Sequence, residues 1–127
     1  MTDLTFTGPV EKGDGLAKGL GCPTANISVS QVGIVPGLGV YTGEAEFEGH
    51  IFPSIVIVTD GRTGESLRLE VHCLGQDLPD LTGKLMIVKI FEKLRPAVPW
   101  ESDAQVGALM LEDIKNAQAW FAARGRS

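Results

Sequence analysis

Apolar and polar residues alternate along much of the chain, and this pattern predicts short strands. Over residues 67–73 every second residue is apolar, and the residues between them are Arg68, Glu70 and His72. Successive side chains of a strand point to opposite faces, so this segment has one apolar and one polar face. Strands are predicted at residues 4–10, 24–29, 39–47, 51–58, 67–73 and 85–91.

Two consecutive strands are predicted to differ in how they are covered. In the strand over 39–47, Tyr41 lies on an apolar face and Thr42 lies on the opposite face among glutamates, which indicates a half-buried strand. In the next strand the Ile-Val-Ile-Val run ending at Val58 suits a strand covered on both faces. Glu48-Gly49 between them predicts a hairpin turn.

A single helix is predicted near the C-terminus. Ser102 and Gln105 form a capping box, which predicts a helix over residues 103–123. Its apolar face contains Val106, Leu109, Met110, Ile114, Ala117, Trp120 and Phe121. Gly107 is expected to cost about 1 kcal/mol relative to alanine. Strands followed by one helix exclude a parallel doubly wound sheet and predict a mainly β fold, an antiparallel barrel with the helix packed against it.

Composition narrows the class of protein. The chain has 127 residues, so residues 1–127 are expected to form one domain with its own core. A net charge of −5 without a basic cluster argues against nucleic acid or an anionic membrane as partner. No segment has the length and hydrophobicity of a membrane span or a signal peptide, so a cytoplasmic protein is expected. Cys22 and Cys73 match no zinc or redox spacing and are expected to be reduced thiols.

Residues 13–26 are the strongest candidate for chemistry. They place four glycines and Lys18 ahead of Pro-Thr-Ala-Asn, and glycine lets backbone amides approach phosphate oxygens. Pro23 favours an extended continuation in which Thr24 and Asn26 share a face. Two neutral oxygen ligands beside a phosphate-binding loop predict a half-site for Mg²⁺, completed by nucleotide phosphates and water. A surface loop followed by an edge strand is the alternative, and the absence of Gly-Lys-Ser/Thr excludes a Walker loop.

Three motifs in this order resemble the riboflavin kinase (flavokinase) family. They are Gly-Cys-Pro-Thr-Ala-Asn at 21–26, Gly-Val-Tyr at 39–41 and Leu-Glu-Val-His at 69–72. The resemblance extends from about Gly8 to Phe121 and implies a stand-alone kinase domain, a six-stranded antiparallel Greek-key β-barrel with a C-terminal α-helix. It implies transfer of the γ-phosphate of Mg²⁺-bound ATP to the terminal ribityl hydroxyl of riboflavin, giving FMN and ADP. No obligate protein partner is inferred.

The resemblance also implies roles for individual residues. Glu70 matches the general base, and a carboxylate on the polar face of a strand can take a proton from an alcohol within hydrogen-bond reach. Thr24 and Asn26 match the ligands of the metal and the nucleotide. The other residues that match binding positions are Gly15, Lys18, Gly21, Pro23, Tyr41, Arg95 and Trp100. A solvated strand carboxylate at Glu70, a surface arginine at Arg95 and a core tryptophan at Trp100 are the structural alternatives.

The sequence departs from the family pattern in three places. Lys18 replaces a usual arginine, Ala97 replaces a usual glutamate, and residues 58–63 differ from the Asn-Ile-Gly and Pro-Thr of bacterial members. The nucleotide half is therefore better preserved than the acceptor half. Two alternatives follow, namely a non-catalytic module that binds flavin or nucleotide, and a kinase for another small alcohol.

Overall fold

The computed structural model describes residues 4–10, 25–29, 37–59, 67–74, 83–96 and 102–125. Their regular elements are β1 (Leu4–Pro9), β2 (Ala25–Val29), β3 (Gly39–Phe47), β4 (His50–Thr59), β5 (Leu67–Cys73), β6 (Leu85–Pro96) and α1 (Asp103–Ala123). The bounds of β3, β5 and α1 are those predicted from the sequence. Hydrophobic periodicity was sufficient to predict these bounds because each segment keeps the period of its element along its length.

The strands form one antiparallel sheet in the order β1-β6-β3-β4-β5-β2. The sheet curls until its two edge strands meet, since a Cβ atom placed on Gly8 of β1 would lie 3.1 Å from Ile27 Cγ2 of β2. Among the described residues no hydrogen-bonded ladder joins β1 to β2. The prediction of a mainly β, antiparallel fold with one C-terminal helix is confirmed.

The curled sheet is covered on both faces over part of its area. Its interior holds the main core cluster, to which all six strands contribute; the fully buried members include Val56, Leu69, Val71, Met86 and Val88. A second cluster lies on the outer face, where Val40 and Ile55 pack with Ala117 of α1. The helix therefore converts the middle of the outer face into a second, smaller core.

The prediction that β3 is half-buried is wrong for part of the strand, because α1 lies on its outer face. Residues 39–43 are all buried and Thr42 is fully inaccessible, so the expectation of a half-buried strand is wrong for this half. Thr42 and Val40 lie on the outer face, as the alternation requires, but the sequence pattern does not show that this face is covered. Only from residue 44 onward do the outward side chains of β3 become partly exposed.

Strand β6 is longer than predicted, because it continues past Phe91 to Pro96. Its pairing with β3 shifts register twice, between Val40 and Tyr41 and between Tyr41 and Gly43. Such bulges interrupt the two-residue period from which a strand is recognised in a sequence. At the second shift, Glu92 N donates to Thr42 Oγ1 over 3.1 Å, and Thr42 Oγ1 donates to Glu92 O over 3.4 Å. The Thr42 hydroxyl thus replaces ladder bonds that the bulge removes.

Two glycines permit close approaches and turns that other residues would obstruct. A Cβ atom at Gly43 would collide with the carbonyl oxygen of Lys89 and lie 2.7 Å from Val56 Cγ2. The predicted hairpin turn is confirmed, with positive φ at Glu48 (52°) and Gly49 (80°), as a type I′ turn requires. β3 can therefore pack closely against β6 at its middle and turn tightly into β4 at its C-terminal end.

The helix begins as the capping box predicts, since Ser102 Oγ accepts a hydrogen bond from Gln105 N at 3.1 Å. Near its C-terminus, Trp120 stacks on Phe91 of β6 with ring centroids 5.7 Å apart. The Arg124 guanidinium lies 3.9 Å from the centroid of the Trp120 ring. These contacts fix the last turn of α1 against the bulged strand. No helix among the described residues has the length and hydrophobicity needed to cross a membrane.

Candidate active site

The ladder between β2 and β5 brings two of the predicted site residues to opposed positions. Asn26 is the Cα partner of Glu70 in this antiparallel register. Directly opposed residues of an antiparallel pair lie on the same face of the sheet. The last residue of the Pro-Thr-Ala-Asn motif is thus directly opposite, in the strand register, the residue that was predicted to be the base.

This pair belongs to a row of residues that crosses the outer face of the sheet. Glu70 is paired with Ile57 of β4, Ile57 with Val40 of β3, and Val40 with Arg95 of β6. Val40 belongs to the cluster under α1, which identifies this face as the one that carries the helix. The row therefore runs from Asn26 and Glu70, across two apolar residues, to Arg95.

Glu70 is half-buried, whereas its neighbours Leu69 and Val71 are fully buried in the interior. The alternation of β5 explains this arrangement, because the interior takes the apolar face of the strand and leaves Glu70 and His72 on the outer face. A half-buried carboxylate on a rigid strand can accept a proton from a ligand hydroxyl without a large rearrangement of backbone.

Arg95 lies on β6. The sequence pattern predicted that this strand ends at Phe91, so Arg95 was expected in the segment after it. Its Nε donates to Asp113 Oδ1 and its Nη2 donates to Asp113 Oδ2, both over 2.8 Å. Its Nη1 donates to the Pro96 carbonyl oxygen at 3.2 Å. The ion pair joins β6 to α1, and the Asp113 side chain is only 4% exposed. Sequence reasoning matched Arg95 to a ligand contact and missed this partner, because the pair is separated by 18 residues and no local pattern links them.

Tyr41 lies on the other face of the sheet from Glu70. It is paired with Val56, which is paired with Val71, and all three belong to the interior core cluster. Its hydroxyl donates to the Gly37 carbonyl oxygen at 2.6 Å, and burial raises the pKa of the phenol. This position does not favour the expected contact with a ligand bound on the Glu70 face. It supports a role for Tyr41 in fixing the entry to β3.

The remaining predicted site residues lie outside the described ranges. They are Gly15, Lys18, Gly21, Pro23, Thr24 and Trp100. Asn26 is described by its strand position alone. Within the described ranges, no group of three or more His, Cys, Asp or Glu side chains could hold a metal ion.

Several solved structures share this fold, including two whose similarity to the chain is as follows. A macrolide-efflux protein from Streptococcus pneumoniae matches with a TM-score of 0.82 and 23% identity, over 94% of this chain and 40% of that one. Riboflavin kinase from Trypanosoma brucei matches with a TM-score of 0.61 and 16% identity, over 96% of this chain and 82% of that one. The chain thus spans two fifths of the length of the first of these proteins. No curated protein sequence matches the chain.

At these identities the structural matches show the fold alone. The family follows from a different comparison, in which the model of the family described as "Flavokinase: Riboflavin kinase" matches residues 1–121. That match covers nearly the whole chain and includes the motifs at 21–26, 39–41 and 69–72. The chain belongs to the riboflavin kinase family.

Proposed function

We propose that this protein phosphorylates riboflavin, using ATP to produce FMN and ADP. The observation that carries the proposal is the opposition of Asn26 and Glu70 on adjacent strands, in a chain of the riboflavin kinase family. The register places a carboxylate next to the end of the stretch predicted to bind the nucleotide. The same face of the sheet carries Arg95, which is partly exposed and paired with Asp113 of α1.

In the proposed reaction Glu70 acts as the general base. The terminal ribityl hydroxyl donates its proton to the Glu70 carboxylate while its oxygen forms a bond to the γ-phosphorus of ATP. The bond between the γ-phosphorus and the bridging oxygen breaks, and its electron pair leaves with ADP. The phosphoryl group is thereby transferred to the alcohol, and the proton is held on Glu70 until it is released to water.

The nucleotide would be held by the residues that lead into β2. Backbone amides around Gly15 and Gly21, together with the Lys18 ammonium, suit phosphate oxygens. Pro23 is expected from the sequence to favour an extended chain before β2, which would put Thr24 and Asn26 on one face.

Magnesium fits this part of the site by the chemistry of its donors. Hydroxyl, amide and carboxylate oxygens are the hard ligands that Mg²⁺ prefers, and residues carrying them stand at Thr24, Asn26 and Glu70. When bound, the ion would neutralise charge on the phosphates of ATP during transfer. The residues that would hold it are Thr24 and Asn26.

The acceptor would lie beside α1, because the helix covers Val40 in the middle of this face. Arg95 and Trp100 are the proposed flavin-side contacts, and Tyr41 contributes through the backbone it fixes. We include in the proposal a closed six-stranded Greek-key barrel, in which contact between β1 and β2 completes the wall, and a cytoplasmic location. A flavin-binding module without activity is the second candidate, favoured by the altered residues 58–63 and by Ala97.

Incubation of the purified protein with riboflavin, ATP and Mg²⁺, followed by chromatography, tests the proposal. FMN and ADP are expected in equal amounts, and omission of Mg²⁺ or addition of a chelator is expected to stop their formation. Quenching of riboflavin fluorescence without FMN would favour the binding module. ADP formed only when another small alcohol replaces riboflavin would favour a kinase of different specificity.

A further inference from the structure

The ion pair between Arg95 and Asp113 determines which hydrogen-bond donors Arg95 can offer to a ligand. Asp113 occupies the side of the guanidinium formed by Nε and Nη2, with both bonds at 2.8 Å. The Pro96 carbonyl takes one N–H of Nη1. Of the five N–H bonds of the guanidinium, two remain without an acceptor among the described residues, one on Nη1 and one on Nη2. These two N–H bonds are the donors that Arg95 can offer to a ligand.

The ion pair with Asp113 also determines the charge that accompanies these two donors. A carboxylate bound by two parallel N–H···O bonds offsets most of the positive charge of the guanidinium. The Asp113 side chain is 4% exposed and the Arg95 side chain is 24% exposed, so solvent screens the pair only in part. What remains are two directional donors with little net charge. Such donors suit neutral carbonyl oxygens better than the phosphates of a nucleotide.

The position of Arg95 separates it from the reacting hydroxyl. Three strand-to-strand steps join Arg95 to Glu70, through Val40 and Ile57. At about 4.8 Å a step, the distance along the sheet is about 14 Å. A group held at Arg95 is therefore a part of the acceptor distant from the hydroxyl that Glu70 would deprotonate.

We propose that Asp113 is a positioning residue that orients Arg95 to bind the carbonyl oxygens of the acceptor ring system. This inference rests on the proposed function, since it assigns the acceptor to the same site. Riboflavin carries two neutral carbonyl oxygens on the pyrimidine ring of its flavin, many bonds away from the terminal ribityl hydroxyl. Arg95 therefore contributes to the affinity for riboflavin and contributes little to the chemical step.

Steady-state kinetics with Asp113→Asn tests this role. The substitution keeps the shape of the side chain and removes the charge, so the guanidinium loses its bidentate partner. We expect the KM for riboflavin to rise about tenfold, as for loss of a charged hydrogen bond. We expect kcat and the KM for ATP to stay within about twofold. Glu48→Gln, which removes one charge from the exposed pair with Lys84 at the far end of β3, is the matched control and should change none of these values.

The double variant Arg95→Asp/Asp113→Arg distinguishes a positioning role of Asp113 from a purely structural role of the ion pair. It keeps an ion pair between β6 and α1 but moves the guanidinium to the helix. We expect its thermal stability to exceed that of Asp113→Asn while the riboflavin affinity stays low. Recovery of riboflavin affinity together with stability would show that the pair only holds the helix and would overturn the proposal.

Two further kinetic results would also overturn the proposal, and a binding measurement tests the proposal without turnover. A rise in the KM for ATP in place of the KM for riboflavin would place Arg95 at the nucleotide, and unchanged values for both would exclude a ligand role. Riboflavin binding is measured directly by fluorescence quenching in the wild type and in Asp113→Asn. If the wild type binds riboflavin without making FMN, only the proposed activity fails. If it binds no riboflavin, this inference fails too.

Discussion

Asn26 of β2 and Glu70 of β5 are directly opposed across an antiparallel ladder, although 44 residues separate them in the chain. The ladder fixes this relationship more firmly than a loop would, because a slip of one residue would turn Ile27 and Leu69 out of the core. Ile27 is almost fully buried and Leu69 is fully buried. The hydrophobic alternation of the two strands therefore also sets the geometry of the candidate site.

Replacement of Glu70 by glutamine tests its role as the base. We expect FMN formation to fall about 10²- to 10⁴-fold, because the amide cannot take the proton of the hydroxyl. Binding of ADP, measured by calorimetry, should be retained. Glu46→Gln is the matched control, since Glu46 is also a half-buried strand carboxylate and lies at the far end of β3. Equal activity in Glu70→Gln and Glu46→Gln would reject Glu70 as the base.

Thr42→Val should lower the free energy of unfolding by about 1–2 kcal/mol, because the bulge at Glu92 would lose both bonds to the hydroxyl. Valine conserves the volume of the side chain, so the effect reports the lost hydrogen bonds. Urea denaturation gives the measurement. Thr7→Val, on the exposed face of β1, should stay within about 0.5 kcal/mol of the wild type. Similar values for the two variants would contradict the role assigned to Thr42.

Gly43→Ala and Gly107→Ala should change stability in opposite directions. A methyl group at Gly43 collides with the Lys89 carbonyl, so β3 and β6 must separate, and a loss of about 2 kcal/mol or more is expected. A methyl group at Gly107 meets no atom within 4 Å. It should therefore stabilise α1 by about 0.5–1 kcal/mol through helix propensity. Thermal unfolding followed by circular dichroism distinguishes the two, and a stabilising Gly43→Ala would contradict the close packing of these strands.

Cys73 should make stability fall at alkaline pH. Burial raises the pKa of its thiol, and the hydrogen bond from Ser54 opposes this only in part. The unfolded chain then releases the thiol proton at a lower pH than the folded chain does. The stabilising contribution is complete below the ordinary pKa of a solvated thiol, and it is lost as pH rises through the higher pKa of the folded state.

The comparison is made in a Cys22→Ser background, so that only one thiol titrates. Urea denaturation between about pH 8 and 10 should show a steeper loss of stability with Cys73 present than in Cys73→Ala. Tyr41, whose pKa is also raised by burial, contributes equally to both proteins. Equal slopes in the two proteins would show that the folded thiol ionises as readily as the unfolded one.

The elements that the sequence predicted best are those whose local pattern is complete. The capping box at Ser102 and the alternation of β5 gave the observed bounds of the helix and of that strand. The last five residues of β6 were missed because two bulges break the period of two. The burial of Thr42 was missed because it depends on α1, which packs on the outer face from a distant part of the chain. Patterns along a sequence report one strand and do not report what covers it.

The candidate site also combines features that a local sequence pattern predicts with features that depend on distant parts of the chain. The alternation of β5 showed that Glu70 lies on the polar face of a strand whose other face is buried. The proposed role of Glu70 as the base came from the family motifs. The partnership of Arg95 with Asp113 depends on how α1 crosses β6 and has no signature in the sequence. The roles proposed for the glycine-rich stretch remain predictions, because those residues lie outside the described ranges.

The enclosure of β3 affects how the protein opens. The interior core packs on one face of residues 40–43, and the other face is the one that carries α1. Hydrogen-bonded strands flank these residues along both edges. Their amide protons can reach solvent only when the helix, β4 and β6 all come apart, so they should exchange with deuterium at the rate of global unfolding. The edge strands β1 and β2 can exchange through smaller fluctuations. A ligand can therefore reach the sheet next to β2 while the central strands of the protein stay folded.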